Sequence, residues 1–194
     1  AELLPGEPEV HGLAALLEIQ SSRARARTGP GGQPVLLLEQ DRSKWDWLLI
    51  GRGLAALDRA RGLEEPAGFY VLQAEIAACH ARARRAEDTD WEQIVSLYDD
   101  LLTIAPTPVV ALNRAVAVGM AFGPEEGLAA VEEFADDPAL HDYPLLPGVR
   151  ADLLFKTGRV EEARAEFERA AAMTENAAQR GLLLRRAAEA RGEG

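Results

Sequence analysis

A chain of 194 residues that is 47% hydrophobic but only 6% aromatic must build its core from alanine, leucine and valine, which favours packed helices over a sheet. Its net charge of −11 opposes nucleic acid and anionic membranes as partners of the chain as a whole. The lone Cys79 excludes an intrachain disulfide or thiolate metal cluster, and no membrane-span run or signal-peptide pattern occurs, so a reducing, cytoplasmic setting is expected.

The first helix is expected from Pro8, a residue suited to the first helical position, with Val10, Leu13, Leu17 and Gln20 on one face and Arg23, Arg25 and Arg27 closing it. A Gly/Pro loop follows, with Val35–Leu38 as an extended apolar plug. Its glycines, Gly29 to Gly32, lack the Gly-Lys-Ser/Thr sequence of a phosphate loop. Ser43 and Asp46 have capping-box spacing at the head of the next helix, whose Trp45, Trp47, Leu48, Leu49, Ile50 and Leu54 suggest burial around most of its circumference. After the break at Pro66–Gly68, a third helix carries Phe69, Leu72, Ile76 and His80 on one stripe, with Gln73 beside it. Thr89 and Glu92 form a second expected capping box, ahead of Ile94, Tyr98 and Leu101 and the stop at Pro106.

Further helices start at Thr107–Pro108 and Gly123–Pro124, and Asp136 to Pro147 is expected to be irregular. The clearest pattern lies in 150–172. Leu153 and Leu154 precede Gly158, and Val160, Ala163, Phe167 and Ala170 follow it at helical spacing. A glycine so placed ends a helix in a left-handed residue, and the short loop returns the second helix along the first. Small residues alternating with large ones, then A-x3-F-x2-A, resemble a tetratricopeptide (TPR) hairpin. Asn176 and Gln179 start a last helix. Together these elements predict an all-α, TPR-like solenoid of helical hairpins, about eight to ten helices in a right-handed superhelix, as one domain over 1–194.

Residues able to carry chemistry are few. His11, His80 and His141 fall on three different elements, without an HExxH pattern or a cysteine cluster, so no metal site, cofactor or catalytic group is assigned. Polar residues beside large ones in apolar helices do stand out: Gln40, Asp41 and Arg42 before Trp45, Gln73 with His80, Asp90 with Trp91, and Asn113 with Arg114. Two readings are open. They are caps and buried hydrogen-bond partners that fix helix docking, or they form a binding groove on a concave helical face. In the second reading Asp41, Arg42, Trp45, Gln73, His80, Asp90, Trp91, Asn113 and Arg114 are the partner-binding set. A small-molecule sensor would instead need an enclosed apolar pocket near Trp45, Trp47 and Trp91.

The stretches LLPGEPEVHGLAALL, LLLEQDRSKWDWLLIGRG, YVLQAEIAACHA, TDWEQIVSLYDDL, PTPVVALNRAVAV and VRADLLFKTGRVEEA resemble, in this order, the C-terminal extension of a group of bacterial extracytoplasmic-function (ECF) sigma factors. The resemblance spans nearly the whole chain, with EQDRSKWD, TDW and LNRAVAV as its most specific motifs. It implies a TPR-like regulatory module that modulates transcription initiation by docking to its own sigma regions, to the RNA polymerase core or to a small YCII-related protein, without catalysis. The sigma regions are absent from this sequence, so direct DNA binding is not expected of it. A start at Ala1 rather than Met fits a piece of a longer protein.

Overall fold

Nine α-helices and five short 3-10 turns account for most of the described residues, 4–63 and 65–191 of the computed structural model. Among these residues there is no strand, only an isolated bridge between Thr28 and Pro34. The chain divides into two compact units, 1–106 and 107–194.

The first unit holds α1 (Pro8–Ser22), α2 (Trp47–Arg61), α3 (Phe69–Arg82) and α4 (Trp91–Ile104). Helix α1 packs against both α2 and α3, and α4 packs on α3. Small residues set this arrangement. A Cβ on Gly12 would lie 2.6 Å from the Val71 backbone nitrogen, and one on Gly53 2.7 Å from Ile19 Cγ1. Both partners therefore approach α1 nearly backbone to backbone. That choice overturns the expected face of α1: it buries His11, Gly12, Ala15, Ile19 and Ser22, while Leu13 and Leu17 point to solvent. The helix is apolar around much of its girth, and close approach at Gly12 and Ala15 outweighs side-chain bulk.

Helix α2 buries one stripe, Ile50, Gly53, Ala56, Leu57 and Ala60, and not most of its circumference; Trp47 is 49% and Leu48 73% exposed. Helix α3 is the enclosed one, buried from Val71 to Ala81 except at half-buried Gln73. Phe69, expected on its buried stripe, is exposed and stacks edge-on against Tyr70 at 5.4 Å. The apolar plug also differs: Leu37 packs on the core, Val35 is half-buried, and Leu36 and Leu38 are exposed.

Neither expected capping box forms, because an aspartate lies nearer each helix start. Asp46 caps α2, its carboxylate accepting from the Leu48 and Leu49 amides at 3.0 and 3.2 Å. Ser43 instead sits in the 3-10 turn Arg42–Lys44, where Asp41 accepts from its amide and hydroxyl at 3.0 and 2.6 Å. Asp90 caps α4 through the Gln93 amide at 2.9 Å, leaving Thr89 one residue outside.

The second unit contains α5 (Pro108–Ala121), α6 (Pro124–Glu132), α7 (Leu145–Lys156), α8 (Val160–Met173) and α9 (Ala177–Ala190), each packed on the next. The expected starts hold. Thr107 caps α5 through the Val110 amide at 3.3 Å, and Asn176 caps α9 through the Ala178 and Gln179 amides at 3.0 and 3.1 Å. The α5–α6 hairpin closes on a glycine pair: a Cβ on Gly127 would meet Gly119 Cα at 2.6 Å. Gly158, at φ +79°, ends α7 in a complete Schellman motif. The Arg159 amide donates to the Leu154 carbonyl at 3.0 Å and the Gly158 amide to Phe155 at 3.1 Å. Leu154, Ala163, Phe167 and Ala170 are buried as their spacing predicts. Helix α7 starts at Leu145, inside the stretch expected to be irregular, because Pro147 falls in a first turn, where its missing N–H costs nothing.

Candidate functional site

The enclosed helix α3 is held at both ends by side chains distant in sequence. At its N-terminus, where Gly68 offers no side chain, the Glu9 carboxylate accepts from the Tyr70 and Val71 amides at 2.8 and 3.1 Å. At its C-terminus the Arg42 Nη1 donates to the carbonyls of His80 and Ala83 at 2.6 and 2.5 Å. An anion at the positive end and a cation at the negative end both suit the helix dipole. Sequence spacing carries no trace of the Glu9 contact, which spans some sixty residues.

Around Arg42 the chain gathers an unusual set of groups. Arg42 is only 7% exposed and its guanidinium lies 4.7 Å from the Trp45 ring centroid, with the Arg23 guanidinium over the same ring at 5.9 Å. Arg23 and Arg27 are held by neutral acceptors, both by the Gln20 side chain and Arg27 also by the Gln20 carbonyl. Most other arginines of the fold face carboxylates: Arg61 binds Glu75 through two 2.6 Å hydrogen bonds, and Arg150 bridges Glu132 and Glu166 at 2.8 and 2.9 Å. Near Arg42, buried donors stay without partners: Arg42 Nε and Nη2, Arg23 Nε and Trp45 Nε1. Burial, with Arg27 and Arg42 nearby, pulls the Arg23 pKa down to about 10. Burial also lowers that of Arg42, against the pull of Asp88 and Glu87.

His80, edge-on to Trp91 at 5.1 Å, belongs to the same cluster. Burial first, then Arg23 and Arg42, push its pKa down to about 4, so the ring is neutral at physiological pH. The neighbouring Cys79 is buried, its thiol raised to about 11 by desolvation, and it donates to Gln93 Oε1 at 3.2 Å. A thiol so protonated is a poor nucleophile.

Arg42 also lines an open groove of about 470 Å³ with Ser43, Trp47 and Arg84. Arg84 is exposed and Trp47 half-exposed. The sequence-derived set therefore splits. Arg42, Trp45, His80 and Trp91 converge at the end of α3. Asp41 and Asp90 are exposed caps, Gln73 is half-buried on α3, and Asn113 and Arg114 lie on α5 of the second unit, exposed and half-buried. The three tryptophans do not line one chamber: Trp45 is in the core and Trp47 faces outward. The pattern of the polar set missed Trp47 as a groove residue, and Arg84 stood only within a basic run.

The second unit has a larger cleft of about 630 Å³, lined by acidic residues including Glu132, Asp136 and Glu166. Arg150 and Arg169 answer the Glu132 and Glu166 charges. Among the described residues no group of three or more His, Cys, Asp or Glu is placed to hold a metal ion, and no helix is long and apolar enough to cross a membrane.

Comparison with known proteins adds a sequence relationship without an activity. Residues 1–61 match DUF6596, a family of unknown function. An uncharacterized protein of Rhizobium meliloti (strain 1021) is 49% identical over 177 residues, which cover 91% of this chain and 41% of that relative. The chain thus spans less than half the length of the relative it matches. No solved structure matches.

Proposed function

We propose that the chain is a non-catalytic docking module that regulates a sigma factor of the ECF type, its hairpins stacked as a TPR-like right-handed solenoid. The observation that carries the docking part is the groove at the end of α3, where an outward-facing Trp47 lies beside Ser43, Arg84 and the buried Arg42. Aromatic and arginine anchors next to a polar rim are the composition of protein interfaces. The transcriptional part rests on the sequence resemblance, and a relative more than twice as long as the matched segment is compatible with a module attached to further domains. Tethered to sigma regions, such a surface works at high effective concentration, so weak docking to those regions, to the polymerase core or to a YCII-related protein suffices.

The test is RNA sequencing after expressing the full-length protein that carries this chain, beside a version lacking residues 1–194. The proposal expects a defined transcript set induced by the intact protein and altered by the deletion. Identical transcript profiles in the two strains would overturn it.

A further inference from the structure

We infer that the arginine-rich end of the first unit binds a second copy of this chain, receiving the acidic stretch 115–149 of that copy. Because Arg84 also lines the docking groove, a bound copy covers the groove and self-association competes with docking. The competition rests on the docking reading above, whereas the pairing itself does not.

Three segments meet at this end of the first unit. Glu9, early in α1, reaches the first amides of α3. Arg42, bonded to the last carbonyls of α3, shares the Trp45 ring with Arg23, just past the end of α1. Helices α1 and α3 therefore run in the same direction, with their C-terminal ends together. The Asp46 amide donates to the Ser22 carbonyl at 2.9 Å and brings the start of α2 to the same place. Arg23, Arg25, Arg27, Arg42 and Arg84 sit on these segments, and none of the five bonds a carboxylate among the described residues; Arg25, Arg27 and Arg84 are exposed. The nearby carboxylates have other partners. Asp46 and Asp90 cap helices, Asp41 holds Ser43, and Glu87 and Asp88, which also act on Arg42, pair with Arg85. The two helix C-termini together answer only about one elementary charge.

The complement lies in the second unit. Between Arg114 and Arg150 the chain has no lysine or arginine and seven Asp and Glu residues, so this stretch carries most of the net charge of −11. Glu133, Asp136 and Asp142 are exposed and form no ion pair among the described residues, and Asp136 and Asp142 line the cleft of about 630 Å³. Charges of opposite sign are thus segregated to two surfaces, each lacking its counter-ion within the chain. The overall negative charge sets copies against each other at long range, but at physiological ionic strength charges more than about 8 Å apart are largely screened, so complementarity at contact decides.

Sedimentation velocity of the 194-residue chain over a range of protein concentrations, at about 0.1 M and about 1 M salt, tests the pairing. The expected result is a mass that rises above the monomer with concentration at the lower salt and returns to the monomer at the higher. Arg25→Glu/Arg84→Glu, and separately Glu133→Lys/Asp136→Lys, all at exposed positions, should each weaken self-association about tenfold, with an unchanged circular dichroism spectrum. All four substitutions in one chain should restore it, because the two surfaces then exchange charge and stay complementary. A monomer at both salts, or association indifferent to either reversal, would overturn the inference, as would a fourfold variant that stays monomeric. None of these masses bears on the transcript profile that tests the module's role.

Discussion

His80 shows how the residues at the end of α3 can be read as thermodynamic elements. Its folded pKa of about 4 lies below the ordinary histidine value of 6.5, so between these values the unfolded chain binds more protons than the folded one. Stability from the neutral ring is therefore complete above about 6.5 and is lost as pH falls toward 4, by at most about 3 kcal/mol. His80→Gln should remove this pH dependence, so the wild-type-minus-variant difference in unfolding free energy should fall as pH drops through that window, measured by urea denaturation at a series of pH values. A difference that does not vary with pH would show that the ring takes up its proton as readily in the fold as in the unfolded chain. At this scale the sequence signalled which residues mattered better than what they do. Arg42, Trp45, His80 and Trp91 stood out as polar–aromatic neighbours, and they do converge. Asp41 and Asp90 stood out equally and are caps, because an aspartate one residue before a helical run satisfies orphan amides whatever lies beside it.

Among the elements, the second unit was legible in the order of its turns. Thr107–Pro108, Gly123–Pro124, Gly158 and Asn176 each encode a local geometry that needs no distant partner. Phe167, fully enclosed in α8, should cost about 3–5 kcal/mol on replacement by alanine, and Asn176→Ala about 1 kcal/mol as a lost cap. Gly127→Ala should destabilise as well, since its methyl would press into the Gly119 backbone of α5. Thermal unfolding of the three variants ranks them; an unchanged melting temperature for Gly127→Ala would contradict the close α5–α6 approach. The first unit was less legible. The contacts of α1 with α2 and α3 depend on Gly12 and Gly53 meeting distant backbone and side chains, and periodicity preferred the bulky Leu13 and Leu17 that solvent receives instead.

For the whole chain, helical class was set by composition, since alanine and leucine dominate a core with few aromatics. The boundary at Pro106 coincides with the proline that ends the run of α4. A net charge of −11 predicts no gel-shift of duplex DNA by the isolated chain at physiological salt, and a shift that survives such salt would show the arginine runs to be a nucleic-acid surface. The proposed function rests on resemblance, because a docking surface has no fixed motif, whereas catalytic and metal sites do. The most direct test of the docking account pairs transcription with stability in the double variant Trp47→Ala/Arg84→Ala. In the full-length protein, reporter transcription should change several-fold, while the melting temperature of the 194-residue chain stays within about 2 °C, as expected for surface substitutions. Unchanged transcription from the folded variant would contradict the account.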